Sequence, residues 1–215
     1  MSDTKFSNLT AMAATDVDRA NDQLCISDIS ANESKKISPE ALAESLGVTG
    51  IIDTFTAALD GDSIDWSSLP SDADAFEIVV MGCVNNNGSG SSGMIMTFNT
   101  DTTDSNYHYE RMGRYNNTDD NSEGATRNIG IMSANSTTTQ WSRMTIYISG
   151  NNISGRWTCS EITSSYSDSS TALGRVSQTS VWKDTSTVDR IRIDDSGGNG
   201  FKAGSIAYIR KIKFT

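Results

Sequence analysis

From Ala75 onward, apolar and polar positions alternate with a period of two, in short runs separated by loops rich in Asn, Ser, Gly and Asp. The runs AFEIVVMGCV (75–84), MIMTFN (94–99), TRNIGIM (126–132) and WSRMTIYIS (141–149) each predict a strand. So do ISGRWTCSEI (153–162), RVSQTSVW (175–182), VDRIRID (188–194) and AGSIAYIRKIKF (203–214), while Tyr107, Tyr109 and Arg111 mark one more. Met144, Ile146 and Ile148 fall opposite Arg143 and Thr145, so one face is buried and the other wet. That is the habit of antiparallel sheets packed in two layers. The loop NNNGSGSSG predicts that the first two runs form a hairpin, and SGNN (149–152) and DSGGNG (195–200) supply further turns.

The front of the chain behaves differently. Leu24, Ile26 and Ile29 predict a strand, Ser30–Glu33 a turn, and Lys35-Lys36-Ile37 a returning strand. Ser38 is a good N-cap, Pro39 fits the first helical position, and Gly47 can adopt the left-handed stop, which predicts a helix over 39–46. Its apolar face is thin, and a helix this short is marginal alone in water. The expected fold class is therefore mainly β: a small N-terminal arm or hairpin with one short helix, then an antiparallel jelly-roll-like β-sandwich. The expected division is an arm over 1–60, a linker over 61–74 around Pro70, and the sandwich over 75–215.

Charge narrows the partners. A formal charge of −10 and a pI near 4.5 argue against nucleic acid and anionic membrane, both of which would repel this surface. No apolar run approaches the roughly 20 residues that span a bilayer, and no charged-then-apolar leader opens the sequence, so synthesis in a cytoplasm is expected. Cys25, Cys83 and Cys159 lack the paired spacing of a zinc site or disulfide framework.

The search for chemistry favours a protein that is not an enzyme and needs no metal or cofactor. His108 is the one histidine, and it sits mid-strand with no nucleophile motif near it. DGDSID (60–65) begins like a calcium loop but places Ile64 and Ser71 where ligands belong. Asp101 with Asp104, Asp119 with Asp120, and Asp194 with Asp195 read as turn residues. Glu77, Glu110 and Glu161 are strand-borne carboxylates that a glycoside hydrolase would need to face one another. Trp141, Trp157 and Trp182 are the aromatics that would stack a glycan if one binds; otherwise they fill a core or an interface.

Residues 1–47 resemble an N-terminal module of tailed-bacteriophage virion proteins, through Phe6, Ser7, Leu9, Thr10, Asp16, Val17, Asp22, Leu24, Ile26, Asp28, Ile29, Ser30, Lys35-Lys36-Ile37-Ser38, Leu42 and Gly47. The closing run is similar to the end of phage jelly-roll domains through Phe201, Gly204, Ser205, Ile206, Ile209, Ile212 and Lys213, with Arg210 where a glycine is common. The resemblance implies a virion protein on the outer surface of a phage head: a capsid decoration (cement) protein or short head fibre. Its expected partners are the major capsid protein and itself, as a homotrimer. Phe6, Leu9, Val17, Leu24, Ile26, Ile29, Ile37, Leu42 and Leu46 would then bury against the shell or symmetry mates. The alternative is a tail fibre or adhesin subunit whose sandwich binds host-surface glycan.

Overall fold

Every run of alternating residues named above becomes a strand, with ends shifted by a few positions. The computed structural model describes residues 24–28, 33–37, 50–85, 90–115, 118–134, 141–150, 155–167 and 173–214; of the first two segments and of Tyr115 it describes the backbone alone. The chain divides into two units, residues 1–50 and 51–215. In the first, β1 (Leu24–Asp28) pairs antiparallel with β2 (Glu33–Ile37), as the hairpin pattern predicts. The helix expected over 39–46 lies outside the described residues.

The second unit is an antiparallel two-sheet sandwich. Its larger sheet runs β3 (Ile51–Thr56), β15 (Ile206–Ile212), β5 (Ala75–Gly82), β11 (Ser142–Ser149), β12 (Thr158–Ser167), β13 (Leu173–Trp182), β7 (Tyr107–Tyr115). Two short strands, β8 (Thr118–Asp119) and β9 (Ser122–Gly124), pair with β7 at its edge. The smaller sheet runs β10 (Asn128–Ala134), β6 (Gly90–Phe98), β14 (Arg190–Asp195), β4 (Ile64–Ser67). Strands early in the sequence pair with late ones in nested order: β6 with β10, β5 with β11, β4 with β14 and β3 with β15.

Three expectations need correction. The runs at 75–84 and 94–99 do not form a hairpin: β5 lies in the larger sheet and β6 in the smaller, each paired with strands from the second half of the chain. Placing them in opposite layers lets the apolar residues of both, Phe76, Ile78 and Val80 from one and Met94, Met96 and Phe98 from the other, enter the common core. The sandwich also begins at Ile51, ahead of residue 75. Residues 64–67, inside the expected linker, form β4, whose Ile64 and Trp66 point into the core while Asp65 and Ser67 face out. Four residues between Ser- and Asp-rich turns carry too little pattern to be seen, and Ile51–Thr56 is an edge strand exposed along most of its length.

Between the layers pack Phe76, Ile78 and Ile146 from one side and Met96, Ile191 and Ile193 from the other, all 2% exposed or less. The inward positions of β12 and β13 are largely polar instead. Gln178 donates through Nε2 to the Asn128 carbonyl at 2.5 Å and to Ser180 Oγ at 2.8 Å, which ties β13 to β10 in the other layer. The Ser133 amide donates to Ser142 Oγ at 2.5 Å, and the Ser167 amide to Ser133 Oγ at 2.9 Å. These bonds satisfy buried groups that would otherwise cost about 1–3 kcal/mol each.

At one end of the core Phe98, Tyr107 and Trp182 cluster, with ring centroids 5.3 to 6.5 Å apart. Asp101 pins the cluster: its carboxylate accepts from Trp182 Nε1 at 2.8 Å, Asn106 Nδ2 at 2.9 Å and the Thr103 amide at 2.9 Å. Burial alone would raise the Asp101 carboxyl, but these hydrogen bonds outweigh it and hold the group below the usual carboxylate value. Tyr107 donates to the Asp101 carbonyl at 2.8 Å, and burial pushes its phenol up to about 12.

At the other end the turns at 60–62 and 199–201 cross. Gly61 donates to the Phe201 carbonyl at 2.9 Å and Phe201 to the Asp62 carbonyl at 2.7 Å. Gly200 has φ +67°, and a Cβ there would lie 2.3 Å from the Gly61 oxygen. Asp60 accepts from the Ala203 amide at 2.8 Å, and Asp62 from the amides of Ala58 and Leu59 at 2.8 and 3.0 Å. The Asp60 and Asp62 carboxylates of DGDSID are thus occupied by backbone amides around this crossing.

Two predictions follow from these ends of the core. Gly200→Ala should cost about 2–3 kcal/mol in urea unfolding, while Gly198→Ala, also at positive φ but with open space around it, should cost about 1 kcal/mol. Equal costs would show that the crossing is not tight. Asp101→Asn should lose about 1–2 kcal/mol at neutral pH. Because the native pKa is depressed, the wild-type advantage is complete above the ordinary value of 3.8 and disappears as pH falls through the lower native one. A deficit unchanged at acid pH would reject this account.

Candidate binding surfaces of the sandwich

The outer face of the larger sheet is ordered by register into rows that run across the strands. One row holds Glu77, Tyr147, Glu161, Thr179 and Glu110, with Glu123 of β9 opposite Glu110. The next on this face holds Val79, Thr145, Thr163, Ser177 and Met112. The third holds Met81, Arg143, Ser165, Arg175 and Arg114. Four residues along each strand, about 13 Å, separate the acidic row from the arginine row.

Glu77 and Glu161 flank Tyr147, and Glu110 lies two strands beyond Glu161, so register places all three predicted carboxylates in one line. Glu77 is ion-paired with Arg210. Burial, then the charges of Glu161 and Glu77, push the Tyr147 phenol up. A cleft of about 260 Å³ lies along Tyr147, Glu161, Thr163 and Thr179.

A second cavity, about 430 Å³, opens at the end of this sheet between Trp157, Phe214, Arg156 and Asp74. Trp157 is 54% exposed and Phe214 65%. On the smaller sheet a cleft of about 320 Å³ is lined by Arg127, Arg190 and Arg192. Its cations are internally engaged: Arg190 grips Asp65 with two bonds of 2.8 and 2.5 Å, Arg192 reaches Asp194 at 2.9 Å, and Arg127 reaches Asp104 at 2.9 Å. The Arg190 hydrogen bond in particular holds the Asp65 carboxyl below its usual range.

The predicted aromatics part company. Trp157 precedes β12 beside the second cavity, and Trp141, 47% exposed, precedes β11. Trp182 is 1% exposed, its ring packed on Phe98 and Tyr107 and its N–H given to Asp101, so it cannot stack a ligand. It ends β13 in an inward position, a parity that the alternation around Val176 could have revealed. Of the predicted attachment residues, Leu24 and Ile26 lie on β1 and Ile37 on β2, with Leu24 opposite Ile37. Phe6, Leu9, Val17, Ile29, Leu42 and Leu46 lie outside the described residues.

Several further titratable groups among the described residues have structural partners or face solvent. Asp195, 2% exposed, accepts from Ser92 Oγ and from the amide and Nδ2 of Asn199 at 3.0 and 2.7 Å, which shapes the DSGGNG turn. Arg111 reaches Asp120 at 3.1 Å. His108 is exposed on β7 opposite Val181, and among the described residues no three His, Cys, Asp or Glu side chains are placed to hold a metal. Cys83 is a buried free thiol and Cys159 an exposed one. The arginine row was not foreseen, because each residue is unremarkable in its own strand and only register aligns them.

No protein-family model matches this chain, and neither does any curated protein or any solved structure.

Proposed function

We propose that this chain is a non-enzymatic structural protein of a phage virion, a capsid decoration (cement) protein or short head fibre. On this reading residues 1–50 grip the head shell and the sandwich is displayed outward. The observation that carries it is the division at Gly50. The body has an apolar core of its own, whereas the described residues of the first unit form a two-stranded hairpin. A two-stranded hairpin by itself is marginal in water, so a partner surface that covers it would add to its stability. The partners proposed are the major capsid protein and two further copies of the chain about a threefold axis, where arm residues such as Leu24, Ile26 and Ile37 would be buried.

The same reading takes the sandwich to be of jelly-roll type. It is supported by the nested pairs β3–β15, β4–β14, β5–β11 and β6–β10, which give two four-stranded sheets, with β12, β13 and β7 extending one of them. A second reading, a glycan-binding adhesin, is favoured by one feature: exposed Trp157 and Phe214 beside Arg156 and Asp74, an apolar platform edged by polar groups.

A chain lacking residues 1–50 should unfold cooperatively, near the temperature of the full protein's sandwich, yet fail to co-sediment with phage heads that the full chain decorates. Undiminished decoration would reject attachment through this unit. On a glycan array the full protein should give no signal that Trp157→Ala removes; a signal lost in that variant would favour the adhesin.

A further inference from the structure

We propose that the outer face of the larger sheet is a self-complementary surface on which a second copy of this chain docks face to face. The inference is independent of what residues 1–50 bind.

Two rows of that face carry charge that is only partly balanced, by Asp119 opposite Arg114 at one end of the arginine row and by Arg210 on Glu77 at one end of the acidic row. Arg143, Arg175 and Arg114 form one; Glu161, Glu110 and Glu123 belong to the other, and all six are exposed. Among the described residues none of the six has an ion-pair partner. Arg175 lies directly opposite Arg114, and Glu110 directly opposite Glu123. Like charges placed opposite one another across strands are destabilising, so these two pairs, one in each row, carry an electrostatic cost in the isolated molecule.

A two-fold axis laid along the middle row, in the plane of contact, removes that cost. It turns a copy over and reverses its strands, so each acidic row falls on the other copy's arginine row. Glu110, two residues to one side of Met112 on β7, then meets the other copy's Arg114, two residues to the other side. Glu161 on β12 falls over the other copy's Ser165, between its Arg143 and Arg175. Along the axis Thr145, Thr163 and Ser177 meet their own counterparts, and so does Met112, which is 66% exposed and offers apolar surface at the β7 end of the axis. This is the isologous contact that closed two-fold dimers use.

The size is adequate. Seven strands from β3 to β7, about 4.8 Å apart, with runs of about seven residues, give a face on the order of 800 Å². A standard interface buries about that much on each partner. A linear polyanion would satisfy the arginine row but be repelled by the acidic row about 13 Å away; a second copy satisfies both. With charge as its main content, the contact should weaken steeply with salt.

The test is sedimentation velocity of the full chain at about 20 mM and about 500 mM NaCl, where screening lengths differ several-fold. The average mass should at least double at low salt relative to high salt. Arg114→Glu alone and Glu110→Arg alone should each hold the low-salt mass at the high-salt value. Combined, R114E/E110R should restore the doubling, because the swapped charges meet each other across the axis. Both substituted positions are exposed, and reversing one charge alters only a modest cross-strand pair energy, so each variant should still fold and unfold cooperatively. Equal masses at both salts, or a double variant as impaired as the singles, would overturn the proposal. Heparin binding by the wild type without any change in mass would overturn it as well, and would assign the arginine row to polyanions.

Discussion

The fold of the sandwich depends on nested pairing between the two ends of residues 51–215. β15 inserts between β3 and β5, and β14 between β6 and β4, so neither sheet is complete until the last strands of the chain are in place. Those strands bring Ile191, Ile193, Ala207 and Ile209 into the core and fasten the crossing of Gly61 with Gly200. Pairings this distant in sequence close large loops before any reward is gained, which makes such topologies slow to fold and cooperative once formed. The two sheets therefore stand or fall together.

This arrangement separates the tasks of the side chains. Inward positions of β5, β11 and β14 are largely apolar and supply the burial, while β13 uses Gln178 and Ser180 and gains layer-to-layer hydrogen bonds in place of area. A buried polar seam specifies one alignment of the layers, since sliding it would orphan its donors. Outward positions are then free of structural duty, and on the larger sheet they are sorted by register into rows of like charge.

On the reading proposed here, independence of the body is what function requires. A displayed domain must hold its shape without help from the surface it decorates, and an attachment unit gains specificity by becoming ordered only where its partner completes it. The charged rows add a way for displayed bodies to meet one another.

Asp119, Asp194 and Asp195, which read as turn residues, lie instead in strands β8 and β14, while the sequence by itself determined the strands whose alternation is strong, their inward and outward faces, and the hairpin at 24–37. These are local matters: period-two alternation and turn chemistry act within a few residues. Only the tertiary structure decided that 75–82 and 90–98 lie in different layers, that Ile64–Ser67 is a strand, that Trp182 is buried over Asp101, and that three arginines share a row. Each of these depends on which strand lies beside which. A chain in which either neighbour would satisfy the same backbone hydrogen bonds does not announce that choice; it is settled by the joint burial of side chains far apart in sequence.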